Sequence, residues 1–203
     1  FDSRDAFSYV NASGQDATPV NGLTGDGIWN RDGYHNEGVT FDPALALLLQ
    51  WAGEAADPQV YARHVVDQPL ASDPSRHVLM MQGIVDTYIL PTIANGLSLP
   101  LGLDLAGPAL ESTDPRSAIF TSVEDALPLV DRGNVAYPAS ANRTVDGSAV
   151  TAVVTQHPQD AIEDGHEAVF QTAGPKHQYR CFLEDFAAGR VPVVPAPGSA
   201  SCD

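Results

Sequence analysis

The chain has 203 residues, with 10 basic against 26 acidic side chains, a net charge of −16 and an apolar fraction of 43%. That length suffices for one domain with a real core, or for a large piece of a bigger protein. The acidic balance repels a phosphate backbone and so excludes nucleic acid as an expected partner, and no apolar run approaches the roughly 18 to 20 residues of a membrane span.

The acids are scattered, and no calcium-loop spacing such as D-x-D-x-D-G occurs, so they read as a solvated surface rather than a cation site. The chain opens at Phe1 with no basic, apolar leader, and is expected to be a mature or trimmed product.

Residues 1–40 are rich in Gly, Asn, Asp and Thr without a sustained period, and read as loops with one short strand or helix. Trp29, Tyr34 and Phe41 are expected packing anchors. Asp42-Pro43 is a helix start, Asp as N-cap and Pro at the first helical position. The helix it opens runs Ala44 to Ala52, with Gly53 as C-cap. Leu45, Leu47, Leu48, Leu49 and Trp51 leave it almost no polar face, so it is deeply buried or forms an apolar wall or lid. Asp57-Pro58 repeats the signal, predicting a helix to about Val66 with Val60, Val65 and Val66 as contacts.

His77 to Met81 reads as a short buried strand after the turn-like Ser72-Asp73-Pro74-Ser75. It runs through Gln82-Gly83-Ile84-Val85 to Asp86. Pro91 to Ser98 is predicted as a short helix, closed by Pro100-Leu101-Gly102. Residues 103–133, punctuated by Pro, Asp and Gly, are expected to leave the sheet, with Ala118 to Val123 as a strand within them. Asn134 to Tyr137 and Ala149 to Val154 flank a turn at Asp146-Gly147, consistent with a hairpin. Val150 to Val154 is the second strong strand, ending near Thr155-Gln156-His157. The clearest helix is Gln178 to Ala188, where Tyr179, Phe182, Leu183, Phe186 and Ala187 make one apolar stripe. Gly189 ends it, and an extended Pro-rich tail follows.

The cysteines, Cys181 and Cys202, form an even pair. Cys202 stands beside the last residue, where a buried free thiol is implausible, so a disulfide pinning the tail is expected over two unpaired thiols. Such a bond implies an oxidising compartment, secreted or periplasmic.

Two ionisable groups stand where open α/β sheets place their chemistry, just past the carboxyl ends of buried strands. They are Asp86 and His166, the latter in Glu163-Asp164-Gly165-His166. A hydroxyl nucleophile needs a base, and the base needs a carboxylate to fix its tautomer and stabilise the imidazolium. An Asp and a His at the ends of neighbouring parallel strands meet that need, and their order fits Ser…Asp…His. Each also has a plain structural reading, Asp86 as a turn or helix cap and His166 as an exposed loop residue.

Gly83-Ile84-Val85-Asp86-Thr87-Tyr88 with Leu90-Pro91…Leu101-Gly102-Leu103 resembles the acid loop after strand seven of α/β-hydrolases. Gly165-His166-Glu167, followed by the amphipathic helix, resembles that family's histidine loop and last helix. The resemblance spans roughly residues 42–190 in order of elements. It implies an α/β fold, with residues 1–75 as a cap or lid-like region and 76–203 as the carboxyl-terminal portion of the hydrolase core. It further implies a serine esterase or lipase acting on an ester or lipid-like small molecule, without cofactor or metal. Asp86 would orient His166, and Ile89, Leu90 and Phe170 would line an acyl pocket unless they serve only as packing.

The family's nucleophile elbow G-x-S-x-G is absent, as is an oxyanion loop of H-G-G type. The nearest string, Gly96-Leu97-Ser98-Leu99-Pro100, follows Asp86 and has no strand leading into it, so Ser98 reads as a turn residue. The serine is therefore expected from an upstream segment or second chain, the N-terminal part of the same hydrolase. Three alternatives stand beside this: a non-catalytic binding or structural module with the same sheet, a metal site built from His157, Asp160, Asp164 and His166, and Cys181 as a nucleophile. The sequons at Asn11 and Asn142 carry no weight.

Overall fold

The fold is described from a computed structural model, which covers residues 9–10, 16–17, 48, 51–71, 73–86, 88–89, 91–115, 117, 121–159, 165–198 and 201–202. Trp29, Tyr34, Phe41 and the Asp42-Pro43 start signal lie outside the described residues, as do Leu90, Asp160, Asp164 and Ala118 to Phe120.

Two short strands, β1 (Tyr9–Val10) and β2 (Asp16–Ala17), pair antiparallel. The main sheet holds β3 (Val78–Gly83), β4 (Asp104–Ala106), β5 (Asn134–Val135) and β8 (Ala152–His157). Its order is β3-β8-β4-β5, with every neighbouring pair parallel. The last strand in sequence is thus inserted between two earlier ones and has a partner on each side. Burial on both sides explains its composition: all six residues of Ala-Val-Val-Thr-Gln-His are buried. A hairpin of β6 (Arg143–Val145) and β7 (Ser148–Val150) precedes it.

Helices lie on both faces. Strand side chains alternate, so Ala152 and Val154 of β8 enter one apolar cluster and Val153 enters the other. The first cluster joins Leu105 to helix α1 (Pro58–Ala62), helix α2 (Pro91–Leu101) and the short α3 (Val123–Ala126) through Ala62, Val66, Leu101 and Val123. The second joins Ala106 and Val153 to Phe182 of the last helix, α5 (Ala173–Ala187), which follows the single-turn α4 (Ala168–Gln171). This mostly parallel sheet with flanking helices is an α/β architecture.

Asp57 caps α1, its carboxylate accepting the Gln59 N–H at 2.9 Å. The helix stops at Ala62, short of the expected Val66, because the chain turns through residues 63–67. Val66 is buried by that turn, whereas Val60 is exposed. Leu48 and Trp51 are helical and exposed, which removes deep burial for these two positions.

Several expectations are corrected. The segment after residue 102 does not leave the sheet: Asp104–Ala106 pairs with β8 and β5. Val123 opens a helix rather than ending a strand, with Ser122 Oγ accepting the Asp125 N–H. The hairpin forms at Asp146-Gly147, but its strands are β6 and β7, while Asn134–Val135 joins the main sheet. Asp146 and Gly147 have φ of 49° and 80°, the left-handed pair of a tight hairpin turn. Helix α2 extends through Pro100 to Leu101. Ser98 therefore lies within a helix, buried, with Oγ donating to the Ala94 carbonyl at 3.0 Å.

Cys181 and Cys202 are joined in a disulfide that holds the tail against α5, and Val194 of that tail exchanges main-chain hydrogen bonds with Ala139. The bond consumes the Cys181 thiol and removes it as a nucleophile. Among the described residues no helix is long and apolar enough to cross a membrane.

Candidate active site

The carboxyl ends of β3 and β8 lie side by side, with Gly83 opposite His157. Beyond β3 the Ile84 N–H donates to the His157 carbonyl at 2.7 Å, and Val85 takes a left-handed φ of 62° that turns the chain outward to Asp86. Beyond β8 the chain returns at Gly165, whose N–H donates to the Val85 carbonyl at 3.1 Å. Here two glycines are required by close approach. A Cβ on Gly83 would collide with the Gly165 carbonyl, and one on Gly165 would collide with the main chain at Ile84–Asp86. The absence of both side chains lets the acid loop and the histidine loop lie in direct main-chain contact.

This contact brings Asp86 and His166 together: Asp86 Oδ2 lies 3.1 Å from His166 Nδ1. The other oxygen, Oδ1, accepts the N–H groups of Tyr88 and Ile89, each at 2.8 Å. Asp86 is therefore both the turn cap and the histidine's partner, one oxygen for each task. The main-chain bonds fix the carboxylate plane and so aim Oδ2. A carboxylate acceptor selects the tautomer with the proton on Nδ1, which makes Nε2 the basic nitrogen. The Asp86 side chain is 14% exposed and that of His166 38%. The carboxylate is thus shielded and the imidazole remains approachable. The Tyr88 ring packs on the imidazole, centroids 4.8 Å apart and planes tilted 41°.

Asp86 and His166 open onto a cleft of about 530 Å³. Ile89, Val169 and Phe170 line it together with Leu79 to Gly83 of β3 and the following Ile84. Ile89 and Phe170 line the cleft and are exposed, which removes core packing as their role.

Beneath the dyad lies a buried polar network that sequence reasoning missed. Gln82 of β3 and Gln156 of β8 are cross-strand neighbours, and the Gln156 amide donates to Gln82 Oε1 at 3.0 Å and to Glu111 Oε2 at 2.8 Å. Glu111 also accepts Asn95 Nδ2 at 2.8 Å and the Val123 N–H at 2.7 Å, while Gln82 donates to Asn95 Oδ1 at 2.8 Å. A buried carboxylate is tolerated when its lone pairs are met in this way. The network ties the loop after β4 and helix α2 to the two strands that carry the dyad.

Of the four residues of the metal alternative, only His157 and His166 are described. His157 is buried inside β8 with Nε2 2.9 Å from Thr155 Oγ1, and Asp160 and Asp164 lie outside the described residues. Burial lowers the His157 pKa from 6.5 to about 4, so this ring is neutral at pH 7. The one described cluster with metal-ligand donors is His177, Cys181 and Cys202, and there both sulfurs are committed to the disulfide.

No family model, no curated protein and no solved structure matches this chain.

Proposed function

We propose that this chain is the carboxyl-terminal portion of an exported α/β-hydrolase that cleaves carboxylic esters. It supplies Asp86 and His166, and an upstream segment or second chain supplies the serine. The observation that carries this reading is the 3.1 Å contact between Asp86 Oδ2 and His166 Nδ1 at the carboxyl ends of adjacent parallel strands. In the proposed reaction His166 Nε2 takes the serine proton as the oxygen attacks the ester carbonyl. The resulting imidazolium, held by Asp86, returns that proton to the departing alcohol, and water repeats the cycle on the acyl-enzyme. No cofactor is needed for these steps. The apolar cleft beside His166 suits an ester with a hydrocarbon acyl or alcohol group, and the disulfide supports export.

The test is p-nitrophenyl ester turnover by the complete encoded protein. His166→Ala is expected to abolish it while the circular dichroism spectrum is retained. Unchanged turnover in that variant would leave a folded module whose dyad has no catalytic part, the second reading. Burial of Ser98 in α2, which removes the one serine of elbow-like context, is what favours that second reading.

A further inference from the structure

Helix α5 carries His177 and Cys181 at positions i and i+4, a spacing that puts both side chains on one helix face. Both residues are buried, and the imidazole Nδ1 lies 3.6 Å from Cys181 Sγ. The tail brings Cys202 to the same place, so that one imidazole and two sulfurs lie within 4.8 Å of one another. A disulfide asks nothing of an imidazole beside it. Two thiolates and an imidazole, by contrast, are a donor set for zinc and similar soft cations.

The distances suit that set. Zinc bonds of about 2.3 Å to sulfur and about 2.0 Å to nitrogen, at a tetrahedral angle, hold a sulfur and a nitrogen roughly 3.6 Å apart and two sulfurs roughly 3.8 Å apart. The pair on α5 already has the first spacing. Only the two sulfurs have to part, by roughly 1.7 Å once their bond is broken. The tail has other anchors that hold it meanwhile. Val194 exchanges main-chain hydrogen bonds with Ala139, the Val193 N–H donates to Asp185 Oδ2 at 2.9 Å, and Gln178 Nε2 donates to the Pro195 carbonyl at 2.7 Å. A cavity of about 470 Å³ borders both cysteines, together with Asp185, and gives a small ion a way in.

We propose that Cys181, Cys202 and His177 form a redox-linked metal site, which binds a zinc-type divalent cation once the disulfide is reduced. The proposal is independent of the esterase reading. A dithiol is the reductant: it is oxidised to its own disulfide, and its two electrons and two protons pass to Cys181 and Cys202. The cation then releases both thiol protons to solvent and takes two thiolates and the neutral imidazole as ligands, with a fourth position open to water. Two thiolates balance the charge of the cation, which suits a buried place. Arg180 Nη2, 3.2 Å from His177 Nδ1, gives up that contact, and its Nε keeps Glu184 at 3.8 Å. The tail is thus clamped to α5 in both states, covalently when oxidised and through the metal when reduced.

The experiment is a cobalt titration of the complete encoded protein, oxidised and after reduction by a phosphine under argon, read by thiolate-to-cobalt charge-transfer absorbance. The reduced protein is expected to gain this band with one equivalent of cobalt, over and above anything the oxidised protein shows. Cys202→Ser and His177→Ala are each expected to weaken that binding by more than about 100-fold, beyond the roughly 10- to 100-fold cost of losing a residue that merely supports a ligand. No added band on reduction overturns the proposal, as does unchanged affinity in either variant. A second measurement needs no variant to fold. In the reduced wild-type protein zinc is expected to slow iodoacetamide modification of Cys181 and Cys202 together by about 10-fold or more, read by peptide mass spectrometry. Equal rates at the two cysteines with and without zinc contradict the site.

Discussion

Asp86 divides its two oxygens between a turn and a histidine, and the division makes its replacement informative. Asp86→Asn keeps the shape and one acceptor oxygen, but its amide can face His166 Nδ1 only by stabilising the wrong tautomer. Ester turnover is expected to fall about 10⁴-fold, as in the comparable change to a serine-protease triad, with thermal stability little altered. Tyr88 acts on the same ring through its face rather than through a proton. A close aromatic pair is worth about 0.5 to 1.5 kcal/mol, so Tyr88→Ala is expected to lower kcat by about 3- to 10-fold and Tyr88→Phe to restore it, in steady-state kinetics. His157 is a third histidine-scale feature with a separate signature. Its pKa falls from 6.5 to about 4 on burial. Above pH 6.5 the ring is neutral in both folded and unfolded chains and its contribution is complete. As pH falls from 6.5 toward 4 only the unfolded chain gains the proton, so stability is lost, approaching about 3 kcal/mol at the lower end. Urea unfolding at pH 7 and pH 4.5 should show that loss, and His157→Gln should remove this part of the pH dependence.

At the scale of elements the site depends on two loops pressed together without side chains between them. Gly83→Ala puts a methyl group into the Gly165 carbonyl. Overpacking of this kind costs about 1 to 3 kcal/mol, and because the displaced loop carries His166, ester turnover is expected to fall further than the shift in the urea midpoint implies. Much of this level was legible beforehand. The strands ending near Asp86 and before His166 announced themselves by short apolar runs between turn signals, and α5 by its stripe. The misses have local causes. Asp104–Ala106 is a strand too short to show alternation and is flanked by Gly102 and Gly107, so its partner β8 rather than its own pattern makes it a strand. Asn134–Val135 stands before the hairpin signal yet pairs with β4, because the tight turn at Asp146-Gly147 pairs only the residues next to it, β6 with β7. Pro100 looked like a helix stop but fits the last turn of α2. The Gln82–Gln156–Glu111–Asn95 network joins residues 13 to 74 positions apart, and no local pattern marks such partners. The dyad was visible as two strand ends, but the glycine contact that closes it was not.

For the whole molecule, the sheet order explains why a chain that alternates strands and helices can place two distant groups at one rim. Inserting β8 between β3 and β4 puts the end of the last strand beside the end of the first strand of that sheet. The tail is then fixed across α5 by the Cys181–Cys202 bond, whose partners are 21 positions apart. In the chain-entropy account a loop of that size contributes about 3 kcal/mol. Reduction, or Cys202→Ser, should lower the urea midpoint accordingly and leave ester turnover in place, since neither cysteine lines the cleft. The central claim is that Asp86 and His166, brought together by this topology, activate a serine carried elsewhere. The most direct measurement is the rate at which a fluorophosphonate labels the complete encoded protein, read by mass spectrometry. The account predicts a single modified serine outside residues 1–203, labelled about 10⁴-fold or more slowly in His166→Ala. Labelling at the same rate in both proteins would contradict it.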